Sequence, residues 1–508
     1  MEDARRVLKA VFGYDAFRPG QEQAVRALLE GRDLMAVMPT GASKSVCYQI
    51  PALMRDGITL VISPLISLMR DQVWQLGQAG VRAAYINSTL TPRQQQKAID
   101  YAREGRYRII YAAPERLMTE HFLAFAREAR FSFVIVDEAH CVSQWGQDFR
   151  PAYLDIAAFL GELPERPPVG AFTATATETV RKDIEKLLTL SSPRRVLTGF
   201  DRPNLFFEVR RPKDRDEELL RFVRGHRGEC GIVYCATRKT AEQVSGLLAE
   251  HGLAAGCYHA GMPDAERTRV QEDFLSDRLE VIAATNAFGM GIDKSNVSYV
   301  VHYQMPKDLE SYYQEAGRAG RDGEPADCLL LYKPQDVRLQ QYLIDRQQEE
   351  SDLPEDVRET VADRSRSRLR EMTFYATGEG CLRARILRYF GEEAGPCGHC
   401  GGCLQRKSAP VKGERTAPAT RLDGTPVSTR GLSGGLFMRL SDARKRIARE
   451  QKVPPFVIFT NATLRDMAVK RPRTRQEMLR VMGVGENKMA RYGETFLAVI
   501  AAWEEEHR

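Results

Sequence analysis

Short apolar runs punctuate the first two-thirds of the chain: LMAVM at 34–38, ITLVIS at 58–63, RIIYAA at 108–113, FVIVDE at 133–138, GIVYC at 231–235 and VIAAT at 281–285. Each run is nearly continuous rather than alternating, which predicts strands buried on both faces. The helical stretches between them predict α/β architecture, with parallel sheets covered by helices. The runs form two sets divided near FDRPNLFFEV at 200–209, predicting two domains, 1–204 and 205–335. Residues 336–380 are charged with a helical period, and a cysteine cluster follows, so 336–405 reads as a third unit. Residues 406–430 hold three prolines, no aromatic residue and no apolar periodicity, which predicts a mobile basic linker. The remainder, 431–508, predicts a small all-α bundle in which Ser441-Asp442 opens a helix, Pro454-Pro455 breaks one, and Gly483 and Gly485 make a turn.

Composition narrows the class. With 508 residues, 43% of them hydrophobic and 28% charged, the chain is globular and multi-domain, which excludes disordered, collagen-like and disulfide-scaffold polypeptides. Its longest uncharged apolar stretch, 57–69, is too short to cross a bilayer, and its start, MEDARRVLKA, lacks a signal peptide's apolar region; a cytoplasmic protein without membrane association is expected. The net charge of +6 is concentrated late, since residues 404–508 carry 21 Lys and Arg against 11 Asp and Glu. Such a tail suits a polyanionic partner such as nucleic acid, although it also serves as a solubilising surface.

Candidate chemistry begins after the first apolar run. Thr40-Gly41-Ala42-Ser43-Lys44-Ser45 leads into VCYQIPAL, a strand, loop and helix that gather backbone N–H groups, an ammonium and a hydroxyl where a β/γ-phosphate with Mg²⁺ would lie. The strict pattern wants Gly where Met38 and Ser43 stand. Asp137-Glu138 follows FVIV, so two carboxylates emerge at a strand's C-terminal end, Asp137 to hold Mg²⁺ and Glu138 to orient or deprotonate water. Alone, such a pair is more often a helix cap or surface charge; with Lys44 it points to nucleotide hydrolysis. Gln314, Arg318 and Arg321 lie in QEAGRAGRDG, where arginines three apart on one helical face can reach developing phosphoryl charge, or simply be a solvated pair beside a glycine-rich turn.

Six cysteines are scattered, while Cys397, Cys400 and Cys403 form C-x₂-C-x₂-C with Cys381 fifteen intervening residues upstream. Four thiolates with no open position make a structural Zn²⁺ site. His399 in place of Cys381 and an iron–sulfur cluster are the chemical alternatives.

AFRPGQEQAV, MPTGASKS, SPLISLMRDQ, APERL, VDEAHCVSQWGQDFRP, FTATAT, IVYCATRK, YHAG, TNAFGMGIDK and QEAGRAGRDG occur in that order, and over about residues 5–405 the chain resembles the RecQ-family DNA helicases of superfamily 2. The resemblance implies two RecA-like parallel-sheet domains in tandem, then a helical zinc-binding module and a small helical bundle. It implies ATP-driven 3′→5′ translocation on single-stranded DNA with duplex unwinding in repair and recombination, using ATP, Mg²⁺ and Zn²⁺. By the same resemblance Tyr14 stacks on adenine, Arg18 and Gln21 read its edge, Thr40, Gly41, Ala42, Ser43, Lys44 and Ser45 hold phosphates, and Gly289, Gly291 and Asp293 line the interdomain cleft. Ser63, Pro64, Ser67, Thr237, Arg238, Thr285 and Asn286 fall where the family meets DNA. The loop 141–153 matches the family's aromatic-rich loop, with Trp145 and Phe149 as stacking surfaces beside Arg150, although Gln147 replaces the usual His.

Residues 431–508 resemble the helicase-and-RNase-D C-terminal (HRDC) domain, whose candidate DNA contacts here are Lys470, Arg471, Arg473, Arg475 and Lys488. Only about 27 residues separate Cys403 from Gly431, too few for the winged-helix domain many members insert there, so a weaker or more fork-dependent unwinder is expected. The implied partners are single-stranded and forked DNA, single-strand-binding protein and other repair proteins, for a monomer associated with the chromosome. Ser43 keeps open a second reading, an ATPase-weakened DNA-binding or strand-annealing protein; the DEAH motif alone would also allow an RNA helicase.

Overall fold

The computed structural model describes residues 1–39, 44–143, 149–288, 294–350, 355–407, 434–451 and 453–506. Thr40, Gly41, Ala42, Ser43, Trp145, Gly289, Gly291, Asp293 and most of the expected linker lie outside the described residues.

Strands β1 (Leu34–Val37), β2 (Ile58–Ile62), β3 (Ala83–Ile86), β4 (Ile109–Ala112), β5 (Phe131–Val136), β6 (Val169–Thr173) and β7 (Arg194–Leu197) form one sheet in the order β3-β4-β2-β5-β6-β1-β7. Every pairing in it is parallel. β8 (Leu205–Arg210), β9 (Cys230–Tyr234), β10 (Ala255–Tyr258), β11 (Val281–Ala284), β12 (Val297–His302) and β13 (Ala326–Leu331) form a second parallel sheet, β10-β11-β9-β12-β13-β8. Central strands β1, β2, β6, β9 and β11 are buried along their whole length because helices cover both faces. In such a crowded interior Gly231 in β9 leaves room for the Tyr299 ring, which an added Cβ would overlap at 2.0 Å.

Long helices Pro334–Glu349 and Glu355–Thr377 follow the second sheet, then Leu382–Tyr389 and Gly401–Lys407 around the cysteine cluster. Arg406 and Lys407, expected to begin the linker, belong to the last of these helices. The C-terminal bundle has its own core of Leu436, Leu440, Leu464, Met467, Phe496 and Ile500, among others. Its first helix, Gly434–Gln451, runs straight through Ser441-Asp442 rather than starting there, because the buried Leu436 and Leu440 already extend the apolar stripe upstream. Pro454 does break the bundle, as N-cap of Pro455–Ile458, and Gly483 turns it with φ 79°.

Candidate active site

Parallel topology sends the loops after β1, β2, β5 and β6 to one edge of the first sheet, the edge at which such sheets take ligands. Lys44 and Ser45 open the helix Lys44–Met54 that follows the loop after β1. Asp137 and Glu138 leave β5, and Glu138 sits at φ 47°, a left-handed conformation uncommon for a residue with a side chain. Two contacts hold this turn: the Tyr153 hydroxyl donates to the Asp137 carbonyl at 2.9 Å, and Asp137 Oδ1 accepts from the Glu138 N–H at 3.0 Å. His140 Nδ1 lies 2.9 Å from Thr173 Oγ1 at the end of β6 and 3.4 Å from Glu138 Oε2.

The second sheet completes the site. Gln314, Arg318 and Arg321 line the same cavity, of about 370 Å³, as Tyr14, Lys44 and Glu138, and Arg18 and Asp137 also face it. Arg318 and Arg321 do not share a helical face, as their spacing suggested: the helix Leu309–Ala316 ends before them. Non-local donors fix the turn beyond it. Buried Arg202 donates to the carbonyls of Gly317 (3.3 Å), Ala319 (3.0 Å) and Gly320 (2.9 Å), and Asn204 Nδ2 donates to those of Gly320 (2.9 Å) and Glu324 (2.8 Å). Gly320, at φ 57°, permits the turn.

Electrostatics separate the two carboxylates. Burial and the neighbouring Glu138 charge push Asp137 above its ordinary range. Burial would also raise Glu138, but the charges of Lys44, His140, Arg318 and Arg321 outweigh it and hold Glu138 low. Glu138 is therefore ionised, and its Oε2 makes no hydrogen bond among the described residues. A buried and a partly buried carboxylate facing Lys44 and two arginines fit a nucleotide's phosphates with a divalent cation.

In the segment expected to read adenine, Gln21 is buried and its Oε1 accepts from the Arg18 N–H at 2.8 Å. Ser63 is buried at the end of β2 beside Asp137, Ser67 lies in the helix Ile66–Gln78, and Arg150 donates to the Pro64 carbonyl at 3.2 Å with Phe149 half-buried next to it. On the second sheet β10, β11 and β9 are neighbours, which places Thr237-Arg238 and Thr285-Asn286 on one edge. Thr237 caps the helix Arg238–Glu250 through the Thr240 N–H, and Asn286 is exposed. In the bundle, Lys470, Arg473 and Arg475 pair with Asp466, Glu504 and Glu486, and Arg471 covers the Trp503 ring.

Sequence reasoning assigned no role to Tyr153, His140, Thr173, Arg202 or Asn204. The motifs FTATAT and FDRPN marked three of them, but their partners lie far along the chain.

The four cysteines converge. Their sulfurs all lie within 4.8 Å of one another, with Cys400 and Cys381 Sγ 3.8 Å apart. Zn–S bonds of about 2.3 Å in a tetrahedron require S···S edges of about 3.8 Å, so the set fits Zn²⁺. Backbone N–H groups of Ala384 and Cys397 donate to Cys381 Sγ, each at 3.3 Å. The His399 ring stands edge-on to Phe206, with centroids 5.3 Å apart, which leaves four cysteines as the ligand set.

Comparison with known proteins covers the chain in four consecutive matches: DEAD/DEAH box helicase over residues 18–183, helicase conserved C-terminal domain over 214–323, RecQ zinc-binding over 334–404, and HRDC domain over 433–500. The ATP-dependent DNA helicase RecQ of Bacillus subtilis (strain 168) is 39% identical over 591 aligned positions, covering 98% of both chains. The protein of that name from Haemophilus influenzae is 35% identical, covering 98% of this chain and 95% of its own. These alignments are longer than this chain, so both relatives carry additional residues within the matched span. Among solved structures, Mss116p bound to ssRNA and AMP-PNP superposes with TM-score 0.54 over 67% of this chain and 73% of its own, at 16% identity, a likeness of fold.

Proposed function

The chain belongs to the RecQ helicase family, and from that premise we propose that it is an ATP-dependent DNA helicase that moves 3′→5′ along single-stranded DNA and parts duplexes in repair and recombination. The observation that carries this reading is the meeting of Lys44, Asp137 and Glu138 from the first sheet with Gln314, Arg318 and Arg321 from the second in one cavity. Phosphoryl transfer needs positioning and charge neutralisation more than covalent chemistry, and a cavity shared by two bodies supplies both only when they close.

Lys44 and Ser45, with the loop 40–43, bind the phosphates; Tyr14, Arg18 and Gln21 take the adenine; Asp137 would hold Mg²⁺, which would supply neutralising charge at the phosphates. Glu138, ionised, with Oε2 making no hydrogen bond among the described residues and lying 3.4 Å from His140 Nδ1, orients and deprotonates the attacking water. Arg318 and Arg321 neutralise charge on the transferred group, and Gly289 and Asp293 are assigned to the same nucleotide-binding set. Single-stranded DNA crosses the edges marked by Ser63, Pro64, Ser67, Thr237, Arg238, Thr285 and Asn286, with bases stacked on Trp145 and Phe149 beside Arg150. The motor occupies 1–204 and 205–335, the zinc module 336–407 and the bundle 431–508, joined by the segment between them. The protein works as a monomer on single-stranded and forked DNA with single-strand-binding and other repair proteins, in the cytoplasm on the chromosome. With too few residues between Cys403 and Gly431 for a winged-helix domain, it is a weaker or more fork-dependent unwinder.

Steady-state ATP hydrolysis with and without single-stranded DNA tests this, using the natural protein, Lys44→Ala and Ser43→Gly. DNA-dependent turnover lost in Lys44→Ala is expected. A natural protein as silent as Lys44→Ala, with turnover restored by Ser43→Gly, would replace the motor with a DNA-binding or annealing role.

A further inference from the structure

The nucleotide cavity has a third wall. Besides the two sheets, it is lined by Phe456, Gly483, Asn487 and Lys488 of the C-terminal bundle. The bundle is fastened to the first motor body at its rim: Lys9 Nζ donates to the Leu479 carbonyl (2.7 Å), the Gly483 N–H to the Gly13 carbonyl (3.1 Å), and Asn487 Nδ2 to the Ala79 carbonyl (2.7 Å). The fit there is backbone on backbone, since a Cβ at Gly13 would stand 2.7 Å from Gly485 N. On the second body, Arg465 forms an ion pair with Glu324, two residues beyond cavity-lining Asp322. The Lys294 ammonium lies 5.7 Å from the Phe456 ring. One small domain thus bridges both motor bodies at the place where their catalytic groups meet.

Among the bundle residues that line the cavity, Lys488 is the charged one; the others are apolar, amide or hydroxyl. Its ammonium has the Phe459 ring at 5.8 Å and makes no hydrogen bond or ion pair among the described residues. By contrast Lys470, Arg473 and Arg475 on the same bundle each hold a carboxylate. Burial pushes the Lys488 ammonium down to about 8, the direction expected of a desolvated cation that an incoming anion would stabilise.

We propose that the bundle is a cover for the nucleotide cavity, docked across both motor bodies, with Lys488 as a cation for the bound nucleoside di- or triphosphate, so that docking and nucleotide binding strengthen each other. This rests on the ATP-site reading above. Linkage makes the effect reciprocal: whatever undocks the bundle weakens nucleotide binding by the factor by which nucleotide tightens docking.

The test is the affinity of the full-length protein for a fluorescent N-methylanthraniloyl ADP, measured alongside ATP hydrolysis. Gly485→Leu wedges the interface, because its Cβ meets the Ala10 carbonyl at 3.1 Å and Gly13 N at 3.3 Å while its own φ of −94° suits any residue. Lys488→Met and Gly485→Leu should each weaken binding about fivefold or more, within the range typical of coupling between sites, and Lys488→Arg should stay within about twofold of the natural protein. Natural affinity in both Lys488→Met and Gly485→Leu overturns the proposal. Should Gly485→Leu fail to fold, Arg465→Glu undocks the bundle from the opposite side and takes its place, read in the same way. If the natural protein itself binds no nucleotide, the ATP-site reading is what has failed.

Discussion

Arg202 reaches 118 residues along the chain to donate to the carbonyl of Gly320 at 2.9 Å, and by this and two neighbouring bonds it fixes the turn that carries Arg318 and Arg321. The guanidinium is almost fully buried and serves backbone carbonyls, so its task is to hold the turn in place. Arg202→Met would orphan carbonyls that each cost about 1–3 kcal/mol to leave unpaired in the interior. We expect a stability loss of about 3 kcal/mol by denaturant unfolding. Misplacement of the arginines should also lower kcat by up to about a hundredfold, with a smaller change in KM. A variant that unfolds earlier yet turns over normally would show that the turn holds its shape without Arg202.

Asp137 and Glu138, adjacent in sequence, answer differently to pH. Glu138 is held low, so it remains ionised through the neutral range; Glu138→Gln should cut hydrolysis about 10²–10⁴-fold at every pH while nucleotide still binds. Asp137 is raised by burial and by Glu138, so its protonated form is favoured in the fold. In metal-free protein its contribution to stability is full below the ordinary carboxylate range and is lost as pH rises through its folded value. Asp137→Asn should therefore melt higher than the natural protein at pH 8 without Mg²⁺, despite being inactive. Equal melting temperatures would mean that the Asp137 charge is already compensated in the fold.

Arg150 gives a test of the aromatic loop. Its guanidinium donates to the Pro64 carbonyl, tying the end of that loop to the segment after β2. An arginine that neutralised a DNA phosphate would contribute about 0.9 to the slope of log affinity against log salt. Spent on a backbone carbonyl, Arg150 should contribute less. Arg150→Ala is expected to weaken single-stranded DNA binding about fivefold with the salt slope unchanged, since backbone-positioning and phosphate contacts separate in this way. A slope reduced by about one unit would make Arg150 a phosphate contact.

What could be read from the sequence follows from how local each signal is. Six strands showed as apolar runs because both their faces are largely buried, whereas edge strand β7 is mostly exposed and edge strand β3 half-buried; buried β6 made no such run because Gly170 and Thr173 interrupt its apolar residues. Lys44, Asp137, Cys397, Cys400 and Cys403 were legible because each motif is contained within a few residues, and Cys381 because it is the fourth thiol at a short distance upstream. Arg318 and Arg321 were expected on a helix because QEAGRAGRDG continues a helical spacing; the helix ends at Gly317, and the donors that fix the turn beyond it, Arg202 and Asn204, lie more than a hundred residues earlier. The seat of the bundle on the motor was equally invisible, since Lys9 and Leu479 are 470 residues apart and neither lies in a motif.

The zinc module depends on an approach that only glycine permits. Gly402 stands between ligands Cys400 and Cys403, and a Cβ there would come within 1.9 Å of the Gly380 carbonyl oxygen, directly before ligand Cys381. Backbone cannot rotate away as a side chain can, so Gly402→Ala must push the segment bearing Cys400 and Cys403 from the one bearing Cys381. Zinc thiolate sites tolerate only about 0.2 Å of error in ligand distance, and metal binding is itself folding free energy. The natural protein should carry one Zn²⁺ per chain by elemental analysis. Gly402→Ala should carry markedly less, yield it faster to a chelator, and lose the folded module at a lower temperature. The motor sheets do not share this glycine contact, so nucleotide binding should survive until the module melts. Full zinc retention in Gly402→Ala would mean that the Gly380 turn can open without moving Cys381.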